Sequence, residues 1–206
     1  MKVLLVNGSP HKTGCTYTAL SEAAASLKEN GIETDLFWIG TKPVRGCIAC
    51  GQCERLGKCV FTDDVCNELL GLMQQADGII VGSPVYYAGP NGALCAVLDR
   101  VFYSGAATLA NKPAAGVVSC RRGGASAAFD RLNKYFMMSR MPVVTSQYWN
   151  SVHGNTPDEV RQDLEGLQTM RTLGRNMAWM LKSIEKAGLD APKQEPRLAT
   201  NFIRQI

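Results

Sequence analysis

Histidine is scarce in this chain, which has only His11 and His153 among its 206 residues. Because histidine is the side chain that most often moves protons near neutral pH, this scarcity argues against catalysis based on histidine. Blocks of lysine or arginine are also lacking, and the net charge of +4 is spread along the sequence. We therefore do not expect a binding surface for nucleic acid or for an anionic membrane.

Long apolar runs are missing near the start of the chain. The first run, from Val3 to Val6, has only four residues before polar residues follow. This length is too short for a signal peptide or a membrane-spanning helix, so we expect a cytoplasmic protein with no membrane partner. In a reducing compartment the eight cysteines should not form a disulfide framework.

Short apolar runs alternate with amphipathic helical stripes along most of the chain. Such alternation predicts parallel strands connected by helices that cover both faces of the sheet. Because crossover connections are right-handed, few topologies remain. We predict a flavodoxin-like three-layer α/β/α sandwich, with five parallel strands in the order 2-1-3-4-5. The predicted strands are residues 3–6, 32–39, 78–82, 114–119 and 143–147.

The last predicted helix has the clearest start signal in the chain. Thr156 is a candidate N-cap, Pro157 suits the first helical position, and Glu159 completes a capping box. We expect this helix to run to Ala187 and to stop at Gly188. The chain shows no internal repeat and no low-complexity linker.

The sequence predicts a single domain over residues 1–206. Residues 40–62 carry several cysteines and show no clear period, so we interpret them as an irregular insertion. Residues 189–206, which include two prolines, are predicted to form an extended tail.

Three polar or glycine-rich loops follow predicted strands, at the edge where ligands bind in open α/β sheets. Ser9–Thr16 combines hydroxyl groups, glycine and a helix amino terminus, which favours an anion, although it matches neither a Walker loop nor G-x-G-x-x-G. Pro84–Tyr87 presents two aromatic rings on a stiff loop, and Ser119–Gly124 supplies donors before another helix. Together they predict a pocket for a flat heterocycle that carries one phosphate.

Four cysteines fall within thirteen residues, with the spacing C-x2-C-x2-C-x5-C: Cys47, Cys50, Cys53 and Cys59. Thiolates at these intervals can converge on one compact group, and a 4Fe–4S cluster requires four of them. Structural zinc more often uses two C-x2-C pairs separated by a long spacer. Four reduced thiols on a surface loop are the other interpretation, and the spacing alone leaves it open.

The remaining notable residues have simpler interpretations. Cys66, on a predicted helix, is interpreted as a small buried apolar residue. Cys15 lies at a helix amino terminus, a position that lowers a thiol pKa. Asp99 and Arg100 are interpreted as a structural ion pair or a helix-end feature, and His153 as a solvated loop residue.

The combination of motifs, in this order, resembles the flavodoxin-like NAD(P)H-dependent FMN reductase superfamily. Within that superfamily the chain is similar to the iron-sulfur flavoproteins. The resemblance covers roughly residues 1–150. The matching residues are Gly8-Ser9-Pro10, the four cysteines followed by Asp63-Asp64, Pro84-Val85-Tyr86, Leu98-Asp99-Arg100 and Gly123-Gly124.

The resemblance implies FMN bound noncovalently, with its phosphate in the first loop and its ring against the other two. The implied cofactor-binding residues are Ser9, His11, Thr13, Gly14, Cys15, Thr16, Pro84, Val85, Tyr86, Tyr87, Ser119, Arg121, Gly123 and Gly124. No side chain is assigned a catalytic role, because the flavin N5 carries the chemistry. The quartet Cys47, Cys50, Cys53 and Cys59 is assigned as metal ligands if a 4Fe–4S cluster is present. A homodimer or homotetramer is also implied.

Three functions are compatible with these observations. The first is an FMN-dependent oxidoreductase that transfers electrons from NADPH or NADH to a quinone, a free flavin, an azo or nitro compound, or a protein. The alternative is an iron-sulfur flavoprotein that carries electrons with a ferredoxin-like partner and uses no nicotinamide. The third is a flavin-binding sensor whose thiols respond to oxidants.

Overall fold

The computed structural model of the chain describes residues 1–196 and residue 198. Its strands are β1 (Lys2–Asn7), β2 (Glu33–Trp38), β3 (Gly78–Tyr86), β4 (Gly89–Pro90), β5 (Ala114–Cys120) and β6 (Ser151–His153). Its helices are α1 (Cys15–Glu29), α2 (Gln52–Leu56), α3 (Cys66–Gln75), α4 (Gly92–Leu109), α5 (Ala125–Met138), α6 (Pro157–Gln162) and α7 (Leu164–Ala187).

The main sheet has the strand order β2-β1-β3-β5-β6, and all of these neighbours are parallel. The short strand β4 folds back antiparallel onto the end of β3 and is the sixth strand. The predicted order of five parallel strands is therefore confirmed. The hairpin strand β4 was not predicted. It arises because the chain after β3 turns back and forms two bridges with the end of β3.

Helices cover both faces of the sheet and form two apolar cores. One core contains Leu69 of α3, Leu98 of α4 and Leu132 of α5, all fully buried. The other core contains Leu20 of α1 and Met170 of α7. The central strands β1, β3 and β5 are buried along most of their length, as their continuous apolar sequences predict.

The fifth parallel strand lies later in the chain than predicted. The segment predicted at 143–147 contacts the sheet only briefly, through a bridge between Val143 and Ala114. The chain then leaves the sheet and returns at β6, after Asn150, whose carbonyl accepts a hydrogen bond from the Val118 amide. Buried Asn150 also donates from its side chain to the Gly116 carbonyl. The Asn150 side chain thus helps to hold this part of the chain on the sheet. A search for apolar periodicity does not detect such a polar contact.

The predicted last helix is divided in two at Asp163. Its start is confirmed, since the Thr156 hydroxyl accepts a hydrogen bond from the Glu159 amide at 3.2 Å. The Asp163 carboxylate accepts from the Gly166 amide at 2.9 Å and so caps α7 anew. The helix ends at Gly188, whose φ of 59° gives the left-handed turn predicted there.

The described part of the predicted tail, residues 189–196 and 198, belongs to no helix or strand, and the rest lies outside the described residues. The predicted insertion contains only the five-residue helix α2. Among the described residues, every helix is too short or too polar to cross a membrane.

Candidate functional site

A cavity of about 260 Å³, open to solvent, lies at the carboxyl ends of the parallel strands. All three predicted loops contribute to it, and we call it the edge cavity. The lining residues are Ser9, His11, Cys15, Thr16, Pro84, Val85, Tyr86, Ser119, Cys120, Arg121, Gly154 and Asn155.

The first loop is held in shape by its own hydrogen bonds. The Asn7 side chain, fully buried, accepts from the Ser9 amide at 3.0 Å and donates to the Lys12 carbonyl at 3.1 Å. The Ser9 hydroxyl accepts from the His11 amide, and Trp38 donates from its indole nitrogen to the Ser9 carbonyl at 2.7 Å. These contacts leave the loop little freedom.

The helix amino terminus in this loop has no capping side chain. Gly14 occupies the N-cap position of α1, and no side chain accepts a hydrogen bond from the first-turn amides. The first turn also contains no acidic residue. Free amides and the positive end of the helix dipole suit an anionic group.

A hydrogen bond joins the first loop to the third. The hydroxyls of Thr16 and Ser119 lie 2.8 Å apart, and both side chains are buried. Cys15 contacts the Gly154 carbonyl through its sulfur at 3.7 Å. Burial raises the pKa of the Cys15 thiol, and this outweighs the lowering by its backbone hydrogen bond, so the predicted lowering of this pKa is wrong.

Most of the predicted second loop, residues 84–86, belongs to β3, so the loop prediction is wrong there. Tyr87 and Ala88 form the turn between β3 and β4. Tyr87 is fully exposed at the tip of this turn, where its φ is 49°, and Ala88 follows with a φ of 60°. The turn packs closely against Gly124, whose φ is 83°. A Cβ atom at Gly124 would lie 2.8 Å from the Ala88 Cα. The second and third loops therefore support each other.

The structure brings nine of the fourteen predicted cofactor-binding residues to the edge cavity. Of the other five, Gly14 and Gly124 are N-caps of the helices that follow the loops, and Thr13, Tyr87 and Gly123 do not line the cavity. Sequence reasoning missed Gly154 and Asn155, because it placed the last strand too early. It also missed Asn7 and Trp38, although a polar residue at the end of a buried strand is a usable signal.

The four cysteines line a second, small cavity of about 20 Å³, which we call the cysteine cavity. Apolar and aromatic side chains surround them, among them Ile48, Phe61 and Tyr103. Cys47 and Cys50 are exposed, whereas Cys53 and Cys59 are partly buried. Among the described residues, no three histidine, cysteine or acidic side chains are grouped closely enough to hold a metal ion.

The backbone of Cys59 is fixed by one side chain from α3. The Asn67 carboxamide accepts a hydrogen bond from the Cys59 amide and donates to the Cys59 carbonyl, both at 2.9 Å. It also donates to the Phe61 carbonyl at 2.9 Å. The last of the four cysteines is thus anchored to the body of the protein.

Arg100 of α4 is buried beside the same cysteine. Its side chain is 1 % exposed and pairs with Asp64, which is 7 % exposed. Burial by itself would lower the pKa of Arg100, but hydrogen bonds to Asp64 and to the Cys59 sulfur leave that pKa above its ordinary value. Arg100 therefore pairs with Asp64 and not with its neighbour Asp99. Asp99 instead contacts Arg131.

The thiols that line the cysteine cavity match the ligand chemistry of an iron-sulfur cluster. Four thiols border one largely apolar space, and thiolates are the ligands of such clusters. Within the described residues, the Arg100 Nη2 atom is buried and has no hydrogen-bond partner. A buried donor without an acceptor is rare in proteins, so this atom is a candidate donor to a group bound beside the cysteines.

Comparison with known proteins agrees with this geometry. Residues 1–156 match the family model for NADPH-dependent FMN reductase. An iron-sulfur flavoprotein of Methanocaldococcus jannaschii is 36% identical over 198 residues, which cover 90% of this chain and 100% of that protein.

Two solved structures share the fold, which confirms the predicted flavodoxin-like class. A flavodoxin, WrbA-like protein from Agrobacterium tumefaciens is 15% identical with a TM-score of 0.61, covering 88% of this chain and 97% of that one. RosB with a bound intermediate is 14% identical with a TM-score of 0.71, covering 100% of this chain and 94% of that one.

Proposed function

Since the chain belongs to the NADPH-dependent FMN reductase family, we propose that it transfers electrons from NADPH or NADH to an acceptor through FMN bound in the edge cavity. The chain is a flavin-dependent oxidoreductase of flavodoxin-like fold. The proposed acceptors are a quinone, a free flavin, an azo or nitro compound, or a protein. The observation that carries the proposal is the edge cavity itself, in which an uncapped helix amino terminus and an aromatic loop face one space.

The first loop is suited to hold the phosphate of FMN. Ser9 and Thr16 are buried hydroxyl residues on the wall of the edge cavity, and the α1 amides beside them have no side-chain acceptor. Hydroxyl and amide donors at a helix amino terminus bind phosphate oxygens well. Arg121 lines the same cavity and adds a positive charge for the cofactor or for a nicotinamide phosphate.

The second and third loops are suited to hold the flat ring. Pro84, Val85 and Tyr86 form one wall of the edge cavity, and Cys120 lies on another. When bound, FMN supplies the N5 atom that accepts a hydride and passes electrons on. These side chains would orient the ring and exclude water from its covered face. The only histidine that lines the edge cavity is exposed His11, so a proton relay through buried histidine is not part of the proposal.

The cysteine cavity supports a second cofactor. We propose that Cys47, Cys50, Cys53 and Cys59 hold a 4Fe–4S cluster, which would give electrons a second redox centre. The shared cavity, the buried unpaired Arg100 nitrogen and the similarity to an iron-sulfur flavoprotein favour this assignment. The same observations favour the alternative function, an electron carrier that works with a ferredoxin-like partner and no nicotinamide.

Two measurements on protein purified without oxygen test these proposals. A visible spectrum with two yellow bands indicates flavin, and an added broad brown absorbance with bound iron indicates the cluster. Oxidation of NADPH or NADH with a quinone acceptor is then compared with the same amount of free FMN. Turnover above that background supports the reductase, and its absence leaves the carrier and the flavin-binding sensor. No flavin band after addition of FMN would refute all three functions.

Point substitutions locate the FMN within the chain. Thr16→Val removes a buried hydroxyl from the wall of the edge cavity, and we expect FMN affinity to fall about tenfold, since a hydrogen bond to a charged group contributes about 1.5–3 kcal/mol. Thr18→Val is the matched control, because Thr18 bonds only to the Gly14 carbonyl and does not line the cavity. Equal affinities in the two variants would contradict the proposed phosphate position.

The proposal includes a homodimer or homotetramer. Several aromatic side chains lie on the surface, including Tyr87, Trp149 and Trp179, with 54% or more of each exposed. Aromatic residues are enriched in protein–protein interfaces. Analytical ultracentrifugation of the FMN-loaded protein tests this part, and a single monomeric species at micromolar concentration would exclude it.

A further inference from the structure

We propose that Arg100 is a positioning residue for the cysteine cavity: its guanidinium holds the Cys59 sulfur in place and raises the reduction potential of the 4Fe–4S cluster bound there. This inference rests on the proposed function, because it requires that the four cysteines bind a cluster. It assigns a role to a helical arginine that is distant in sequence from the cysteines.

The geometry around Arg100 directs one donor at the sulfur. The Arg100 Nε atom lies 3.2 Å from the Cys59 Sγ atom and donates to it. The Nη1 atom donates to the Asp64 carboxylate and, at 3.2 Å, to the Arg45 carbonyl. Because guanidinium is planar, the Nη1 contacts fix the direction of the Nε–H bond.

The other terminal nitrogen of Arg100 is unpaired. Arg100 lines the cysteine cavity, and its Nη2 atom has no partner among the described residues. Leaving a buried charged donor unpaired is costly. A cluster held by the four cysteines would bring sulfur acceptors to this side of the molecule.

Two further contacts keep the guanidinium where it is. Its carbon lies 5.5 Å from the centre of the Phe61 ring, and the Arg45 guanidinium lies over the same ring at 4.4 Å. The Asp64 carboxylate, the partner of Arg100, also accepts from the Cys66 amide at the start of α3. Asp64, which follows the four cysteines in sequence, thereby contacts both α3 and α4.

The expected effect on the potential follows from the charge that reduction adds. Hydrogen bonds to the ligating sulfurs and the net charge nearby are two of the factors that set a cluster's potential. Asp64 balances much of the charge of Arg100, so the local N–H bond to sulfur dominates the effect. An N–H group directed at a thiolate stabilises the more negative, reduced state. Loss of this bond should therefore lower the potential.

The test is a redox titration of the reconstituted protein, followed by electron paramagnetic resonance. Arg100→Lys keeps the charge beside Asp64 but removes the planar fork, and we expect a lower midpoint. A tenfold change in the reduction equilibrium, about 59 mV for one electron, is the expected scale. Arg45→Met is the matched control, because Arg45 lies over the same ring and its side chain donates to Asp63 instead of to Cys59. Equal midpoints for wild type and Arg100→Lys would overturn the tuning role.

A second measurement uses the protein without iron. If Arg100 holds the Cys59 sulfur, Arg100→Lys should raise the alkylation rate of Cys59 several-fold, measured by peptide mass spectrometry, with exposed Cys47 as the internal reference. Equal rates would overturn the positioning role. If wild type binds FMN but takes up no iron, the proposed cluster fails together with the tuning role, while a faster Cys59 reaction still supports positioning.

A neutral double variant separates positioning from failure to fold. Arg100→Met combined with Asp64→Asn removes both charges of the buried pair and keeps an oxygen acceptor for the Cys66 amide. Circular dichroism checks that this variant folds. We expect the same direction of change in midpoint and in Cys59 alkylation as in Arg100→Lys. Wild-type values in a folded double variant would overturn the proposal.

Discussion

The edge cavity and the cysteine cavity are stabilised by different kinds of contact. Around the edge cavity, backbone groups of the loops bond directly to the buried strands, as from the Gly8 amide to the Gly82 carbonyl and from the Gly154 amide to the Cys120 carbonyl. The side chains of Asn7 and Trp38 add bonds within the first loop. Around the cysteine cavity, the chain follows a partly exposed strand and is anchored by the side chains of Asn67 and Arg100.

The difference determines which substitutions harm each site most. A site held mainly by backbone bonds to a sheet is more sensitive to a changed backbone conformation than to the loss of any one side chain. A site anchored by buried polar side chains depends on each of them, since a single substitution leaves its partner unpaired. Substitutions in each region therefore test the comparison.

The largest effect is expected from Asp64→Ala in the cysteine region. The substitution leaves the Arg100 guanidinium buried without its carboxylate, and breaking a buried pair in this way costs about 3–5 kcal/mol of unfolding free energy. Urea unfolding of the protein without iron measures it. Asp63→Ala is the control, because Asp63 is 60% exposed and its bond to Arg45 contributes about 0–1 kcal/mol. Equal losses in the two variants would contradict the comparison.

The corresponding backbone test in the edge cavity is Gly124→Ala. The new Cβ would lie 2.8 Å from the Ala88 Cα, at a φ of 83° that is unfavourable for alanine. We expect a loss of about 1–3 kcal/mol in unfolding free energy and about tenfold weaker FMN binding, because the two loops must separate. At Gly123 a Cβ meets nothing within 4 Å, so Gly123→Ala should preserve both quantities. FMN fluorescence quenching and urea unfolding provide the readouts.

The pH dependence of stability tests whether the Cys66 thiol belongs to the buried core or to the accessible cysteines. Burial raises the pKa of the Cys66 thiol to about 12 from 9.0. Because the folded pKa is the higher one, the thiol's contribution is complete below pH 9 and is lost as the pH rises from about 9 towards 12. Between pH 8 and 10, wild type should lose about 1 kcal/mol more unfolding free energy than Cys66→Ala. If wild type and Cys66→Ala lose the same unfolding free energy over this pH range, the Cys66 thiol is as accessible as the surface cysteines.

Much of the fold was predictable because hydrophobic periodicity reports buried strands directly. The central runs that became β1, β3 and β5 are continuous and apolar, and their order followed from the handedness of crossovers. The position of β6 was not predictable in this way. Its three residues include a serine and a histidine, and its alignment depends on buried Asn150.

The candidate site was predictable in part, for a related reason. Residues such as Ser9 and Pro84 could be identified because they closely follow the predicted apolar strands 3–6 and 78–82. Arg100 and Trp38 act from elements that are remote in sequence, and no local pattern indicates which atom they reach. Only the packing of α4 and β2 against their neighbours brings them to Cys59 and Ser9.

The smallest effect is expected from Trp38→Phe, which tests whether a remote side chain also supports the backbone-built site. The indole donates to the Ser9 carbonyl at 2.7 Å, and Phe keeps the ring but removes this donor. A lost hydrogen bond of this type costs about 1 kcal/mol, so FMN should bind roughly five times more weakly. Trp179→Phe, on the exposed face of α7, is the control for indole loss. If Trp38→Phe binds FMN as wild type does, the strand contacts and the Asn7 side chain hold the loop without the indole bond. The edge cavity would then depend on single side chains even less than its hydrogen bonds indicate, and it would differ more from the cysteine cavity.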